Sequence, residues 1–190
     1  MKKELTHAPV LYPAPVLLVG TYDGQERPNL MTVAWGGICC SDPPCISVAL
    51  RKATHTYASL VARQAFTVNI PSEHQIKEAD FCGIYSGRDR DKFEALRLTA
   101  VRSQRVAAPY AEEFPLVLEC RVIHTLEIGL HTMFVGQVQG TLIEESMLRE
   151  DGKPDVAKLK PLAYAPYSRE YFSVGPRLGK AFSVGRDRSS

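Results

Sequence analysis

Two adjacent cations, a histidine and two hydroxyls crowd together where the run SVALRKATHTY ends: Arg51, Lys52, Thr54, His55 and Thr56. Groups of this kind hold a phosphate. A planar guanidinium stays charged, a second cation adds to it, hydroxyls donate, and a helix start offers free backbone N–H groups. The run CISVAL before the cluster reads as a strand, and TYASLVARQ after it as a short amphipathic helix with Tyr57, Leu60 and Val61 on one side. The strand thus delivers Arg51 and Lys52 to its end, beside the helix start. A solvated strand end followed by a capping threonine would use the same residues, so residue types alone leave both readings open.

Cys39, Cys40 and Cys45 are the other crowded group capable of chemistry. Their spacing lacks the C-x2-C pairs of structural zinc sites and has no histidine at ligand distance, so no metal site is expected and small packed side chains account for them. An odd total of five cysteines suits no paired disulfide framework and points to a reducing, cytoplasmic setting.

The elements that must position these groups come in the order strands, short helices, strands. PVLLVGTYDGQERPNLMTVAW reads as a hairpin around Asp23-Gly24, and CISVAL resumes strand character after Gly-Gly and the turn-forming Ser41-Asp42-Pro43-Pro44. FTVNI is a compact strand. Ser72 three residues ahead of Gln75 is a capping box opening a helix to about Cys82, and DKFEALRL makes another helix after the polar loop Ser86-Gly87-Arg88-Asp89. FPLVLECRVIHTLEIG and HTMFVGQVQGTLIEE are long strands joined at Gly129-Leu130, and the chain from Ser146 onward is rich in loop formers. The order predicts a mainly β fold, a closed antiparallel barrel decorated by short helices rather than a βαβ sheet. G-x-G-x-x-G after a strand, G-x-x-x-x-G-K-[ST] and G-x-S-x-G are all absent, so any nucleotide must be held by other means.

With 190 residues and 45% hydrophobic content, one domain over residues 1–190, its core at about 15–185, is expected. Lys+Arg number 23 against 21 Asp+Glu, a net charge of +2 that argues against a nucleic-acid partner. Apolar runs fall well short of the roughly 20 residues that a membrane helix requires. The opening MKKELTHAPVLYPAP, interrupted by His7 and three prolines, does not read as a secretory signal.

Four segments resemble the FMN-binding split barrel of the flavin reductase-like proteins: Met31-Thr32-Val33-Ala34-Trp35, Cys40-Ser41-Asp42-Pro43-Pro44, Ala49-Leu50-Arg51-Lys52 with Thr56, and Phe66-x-Val68-Asn69. The sub-pattern W-G-G-I-C-C-S, the loop 86–89 with Lys92-Phe93, the stretch Ile128 to Thr132 and the segment Gly179 to Gly185 resemble the flavoredoxin branch in particular. The likeness runs from about Pro15 to Gly185.

The resemblance implies a six-stranded Greek-key split barrel, a homodimer, and FMN in a groove near the subunit interface. Carried over by position, Arg51, Lys52 and Thr56 would hold the phosphate, and the backbone from Met31 through Ala34, centred on Thr32 to Ala34, would meet the pyrimidine edge of the ring. Cys40 and Ser41 would lie near the ring. Trp35 would stack there or pack in the core or interface, and Lys92 and Phe93 would approach the cofactor or the facing subunit. His131 falls where many flavin reductases carry Gly-Asp-His; it is the candidate catalytic residue, or else a satisfied strand histidine. The middle residue here is Leu130, which sets direct reduction by NADH or NADPH against a protein redox partner. The implied activity is that of an FMN-dependent oxidoreductase, reductase or electron carrier. A binding or sensor module for FMN or another phosphorylated or haem-like ligand, and a ligand-free structural protein, are the readings from other classes.

Overall fold

The computed structural model describes residues 1–5 and 7–186, so the last four residues of the expected domain lie outside the described residues. Strands β1 (Ala14–Pro15), β2 (Leu17–Tyr22), β3 (Pro28–Val33), β4 (Gly36–Ser41) and β5 (Pro44–Arg51) come first, then helix α1 (His55–Arg63) and β6 (Ala65–Ile70). Helices α2 (Ile76–Ile84) and α3 (Lys92–Leu96) follow, then β7 (Ala100–Arg102), β8 (Pro109–Ala111) and the long hairpin of β9 (Leu116–Ile128) and β10 (His131–Ile143). Helix α4 (Val156–Leu159) precedes β11 (Leu162–Ala165) and β12 (Glu170–Ser173).

The main sheet is antiparallel and seven-stranded, in the order β3-β2-β6-β9-β10-β5-β4. Strand β2 reads LLVGTY and is almost continuously buried because both of its faces are covered. Leu17 and Val19 join Val48, Phe66 and Phe134 in the barrel core, while Leu18 packs outward with Ala79, Cys82 and Phe93 under α2 and α3. Those two helices thereby lie over β3, one edge of the sheet, and define one wall of a groove.

The expected order of strands, helices and strands is present, with three differences. Strand β4 adds a seventh strand to the expected six, because Gly36-Gly37 reads as punctuation in the sequence yet is paired to β5, opposite Val48 and Ser47. A Cβ at Gly36 would come within 2.7 Å of the Ser47 carbonyl and 2.9 Å of Leu17, so glycine answers to close packing there. Among the described residues no ladder joins β3 to β4, so the barrel is split, as the resemblance implies, rather than closed as the element order alone predicts; the Ala49 N–H donates to the Trp35 carbonyl at 2.8 Å near the opening. The loop-rich segment beyond Ser146 contains β11 and β12, which with β1 form a small three-stranded sheet. The capping box forms as expected, the Ser72 N–H donating to Gln75 Oε1 at 3.0 Å.

No helix among the described residues is long and apolar enough to cross a membrane, and no cluster of three metal-ligating side chains occurs among them. The five cysteines are free thiols.

Candidate functional site

A groove runs between β3, the end of β5 and the C-terminal half of α2. It consists of two adjoining cavities of about 330 and 260 Å³ that share Met31, Thr32, Thr54, Gly83 and Ile84. As an edge strand, β3 bonds only to β2, and alternate backbone groups along Met31–Val33 point away from that partner. The Thr32 hydroxyl donates to the Ala79 carbonyl, which ties this edge to α2.

The smaller cavity has the electrostatics of an anion site. Thr54 precedes α1 in an extended conformation, but its hydroxyl donates back to the Arg51 carbonyl at 2.9 Å, leaving the first turn without a side-chain cap. Thr56 is buried and its Oγ1 accepts from Asn29 Nδ2 at 2.9 Å, so its own hydrogen is left for a ligand. Across the cavity, the turn at Ser86 to Asp89 carries Arg88, whose guanidinium donates to the Ala53 carbonyl at 3.0 Å. Gly87 sits so close to Asn29 and His55 that a Cβ would collide with the Asn29 carboxamide and lie 2.6 Å from the imidazole.

Lys92 is the most unusual group in this wall. It is only 3% exposed, and its ammonium donates to the Leu30 carbonyl at 2.6 Å and the Cys82 carbonyl at 3.0 Å. Among the described residues no carboxylate pairs with it, and burial pushes its pKa below the usual lysine value. Two acceptors leave one of its three N–H groups for an occupant of the cavity it lines. His55 is nearby, its Nε2 4.0 Å from Asp23 Oδ2; burial lowers the imidazole pKa and Asp23 opposes that shift in part. Burial acts to raise the pKa of Asp23, but the Arg27 and Gln25 N–H groups and the Arg27 guanidinium outweigh it and hold the carboxyl low.

The larger cavity is walled by aromatic rings. The Trp35 indole and His131 imidazole are stacked, 6.0 Å between centroids and 4° from parallel. Tyr164 and Tyr171 line the same cavity and pack at 5.4 Å, and the Tyr171 hydroxyl donates to Asp80 Oδ1 at 3.1 Å. Burial first, then the hydrogen bond to Asp80 and the Asp80 charge, push the Tyr171 phenol far above its usual range.

Of the residues singled out in the sequence, Met31, Thr32, Val33, Ala34, Trp35, Arg51 and His131 line the larger cavity, while Thr56 and Lys92 line the smaller. Four others line neither. Lys52 turns to the surface, where its ammonium pairs with Glu127 Oε1 at 2.7 Å, and Phe93 is buried under the sheet. Cys40 and Ser41 are exposed at the far end of β4, the Cys40 thiol bonding to the Asp42 carbonyl in its own turn. Sequence reasoning passed over Asn29, Asp80, Tyr164 and Tyr171. The tyrosines lie in the segment left without elements, and Asn29 and Asp80 become legible only once β3 and α2 are side by side.

Flavoredoxin of Desulfovibrio vulgaris (Miyazaki F) shares this fold with a TM-score of 0.94 and 52% identity, the match covering 98% of this chain and 100% of that one. Flavoredoxin from Methanosarcina acetivorans is 30% identical with a TM-score of 0.90, covering 98% of both chains. An uncharacterized protein of Archaeoglobus fulgidus is 32% identical over 161 residues, 85% of this chain and 88% of the relative. The profile of the flavin reductase like domain matches residues 10–174, a span that takes in every residue lining the two cavities, and the chain belongs to the flavin reductase like family.

Proposed function

We propose that the groove holds FMN and that the protein is an electron carrier of the flavoredoxin type, reduced and oxidised by protein partners. The family assigns flavin redox chemistry to the chain. The observation that favours a phosphorylated flavin is Lys92, a buried lysine without a carboxylate, facing the same cavity as the uncapped start of α1. Burying a lone cation is costly unless an anion joins it, and a phosphate monoester supplies that anion.

The residues present fit the group. Thr56, Lys92 and the first N–H groups of α1 would receive the phosphate, with Arg51 and Arg88 at its sides; the edge of β3 over Thr32–Ala34 would meet the polar rim of the ring. Trp35, His131 and Tyr164, which line the larger cavity, would exclude water from the ring. When bound, FMN supplies reversible uptake of two electrons, and the chain holds and shields it. His131 takes a positioning role in this reading, stacked on Trp35 rather than poised beside a carboxylate.

The carrier reading draws on the surface beside His131. Leu130, 63% exposed, stands where a reductase of this family would present a carboxylate, and Ile128 and Leu126 continue an apolar tip on the β9–β10 hairpin. Such a surface suits a protein partner better than a nicotinamide dinucleotide. The name of the 52% identical relative, flavoredoxin, accords with it. We further propose a homodimer: edge strand β4 carries no charged residue and Ile38 is 82% exposed, which are liabilities that a second copy would cover. Free thiols throughout accord with a cytoplasmic setting.

An anaerobic absorbance titration of the FMN-supplemented protein tests this function. Flavin bands that persist through NADH and NADPH and bleach with dithionite are the expected result. Bleaching by either nicotinamide would make the protein a reductase, and failure to retain flavin bands would overturn the FMN reading itself.

A further inference from the structure

Asp80 is the sole carboxylate among the residues lining either cavity. The other charged groups of the groove, Arg51, Lys92 and Arg88, are cations, as an anion site requires. Asp80 lines the larger cavity with Ala34, Trp35 and Tyr164, none of which lines the smaller one, and the Tyr171 hydroxyl fixes its orientation from β12. Because the phenol keeps its proton far into the alkaline range, Tyr171 remains a donor to Asp80 at every working pH. A carboxylate adds nothing to the capture of an anionic ligand. Its effect is felt when charge develops at the ring end: reduction with two electrons and one proton adds one negative charge to a flavin, and a nearby fixed anion opposes that change.

Resting on the flavin reading above, we propose that Asp80, held in place by Tyr171, sets the redox balance of the groove by disfavouring reduced flavin relative to oxidised flavin. Asp80 is exposed to solvent, which screens its influence, and that influence grows when a ligand displaces the water.

The test compares the affinities of oxidised and reduced FMN in the wild type and in Asp80→Asn, read by quenching of the one tryptophan, Trp35. Reduced FMN is prepared under argon with dithionite, which gives up two electrons and is oxidised to sulfite while water supplies the proton. Asparagine keeps the oxygen that accepts from Tyr171 and removes only the charge. The ratio of the two affinities is expected to move about three- to tenfold toward reduced FMN in Asp80→Asn, tenfold corresponding to about 30 mV for a two-electron couple. Tyr171→Phe, which leaves the charge but loosens it, is expected to move the ratio the same way by less, and Asp80→Glu to restore most of the wild-type value. An unchanged ratio in variants that still bind FMN would overturn this role for Asp80 alone. A wild-type protein that binds neither form would overturn the flavin reading together with it.

Discussion

The indole of Trp35 and the imidazole of His131 are stacked 4° from parallel, their centroids 6.0 Å apart, because both are registered against the end of β5. The Trp35 carbonyl accepts from Ala49 N–H, and His131 pairs with Arg51 across the β10–β5 ladder. Ala49 and Arg51 are two residues apart and so share one face of the strand. The stack is therefore a product of sheet register, and it forms one wall of the groove.

Trp35 is the one tryptophan in the chain, so its fluorescence reports on that wall alone. Addition of FMN is expected to quench most of the emission. Replacing Trp35 with alanine removes one aromatic face, worth about 0.5–1.5 kcal/mol, and is expected to weaken FMN about two- to tenfold as read by flavin fluorescence. Emission indifferent to saturating FMN would place the ring elsewhere.

Arg51 and Lys52 are adjacent but do different things. Arg51 lines the groove, whereas Lys52 holds Glu127 on the surface, an arrangement that raises its pKa chiefly through that hydrogen bond. Arg51→Ala is expected to weaken FMN by about tenfold, the scale of one charge-assisted hydrogen bond. Lys52→Ala is expected to change the affinity by less than about twofold, since an exposed pair of this kind carries little. Calorimetry on the two variants distinguishes them, and equal losses would restore Lys52 to the site.

How much of this was open to sequence reading depended on range. The β9–β10 hairpin and the capping box at Ser72 and Gln75 were legible because each is written in consecutive residues with its own periodicity or spacing. Strand β4 was not, because its glycines read as a turn until β5 and Leu17 are seen to press on them. The direction in which Lys52 points was equally hidden, being decided by Glu127 on a distant strand. Asp80 and Tyr171 meet only when the small sheet docks on α2, a contact that no local pattern announces.

Burial lowers the His55 pKa below its ordinary 6.5, so between the two values the unfolded chain binds more protons than the folded one. Stability must then fall as pH drops from about 6.5. His55→Gln is expected to remove that part of the slope. Urea midpoints at pH 7.5, 6.5 and 5.5 in both proteins check it; a wild type and variant that lose stability in parallel would contradict it.

Gly87→Ala would drive a methyl group into Asn29 and toward His55. The turn at Ser86 to Asp89 must then shift, taking Arg88 away from the Ala53 carbonyl. The variant is expected to fold, with a Tm lower by a few degrees, a loss of about 1 kcal/mol, and to bind FMN less tightly. Unaltered FMN affinity would show that this wall does not touch the ligand.

In the proposed function Lys92 is the buried cation that the FMN phosphate would join. The measurement that tests it is the affinity of FMN against that of riboflavin, which differs only in lacking the phosphate, in the wild type and in Lys92→Met. The wild type is expected to prefer FMN by about a hundredfold or more, as two or more charge-assisted hydrogen bonds would give, and Lys92→Met to lose at least about tenfold of that preference while binding riboflavin as before. Equal binding of FMN and riboflavin by the wild type, or a preference untouched by Lys92→Met, would contradict it.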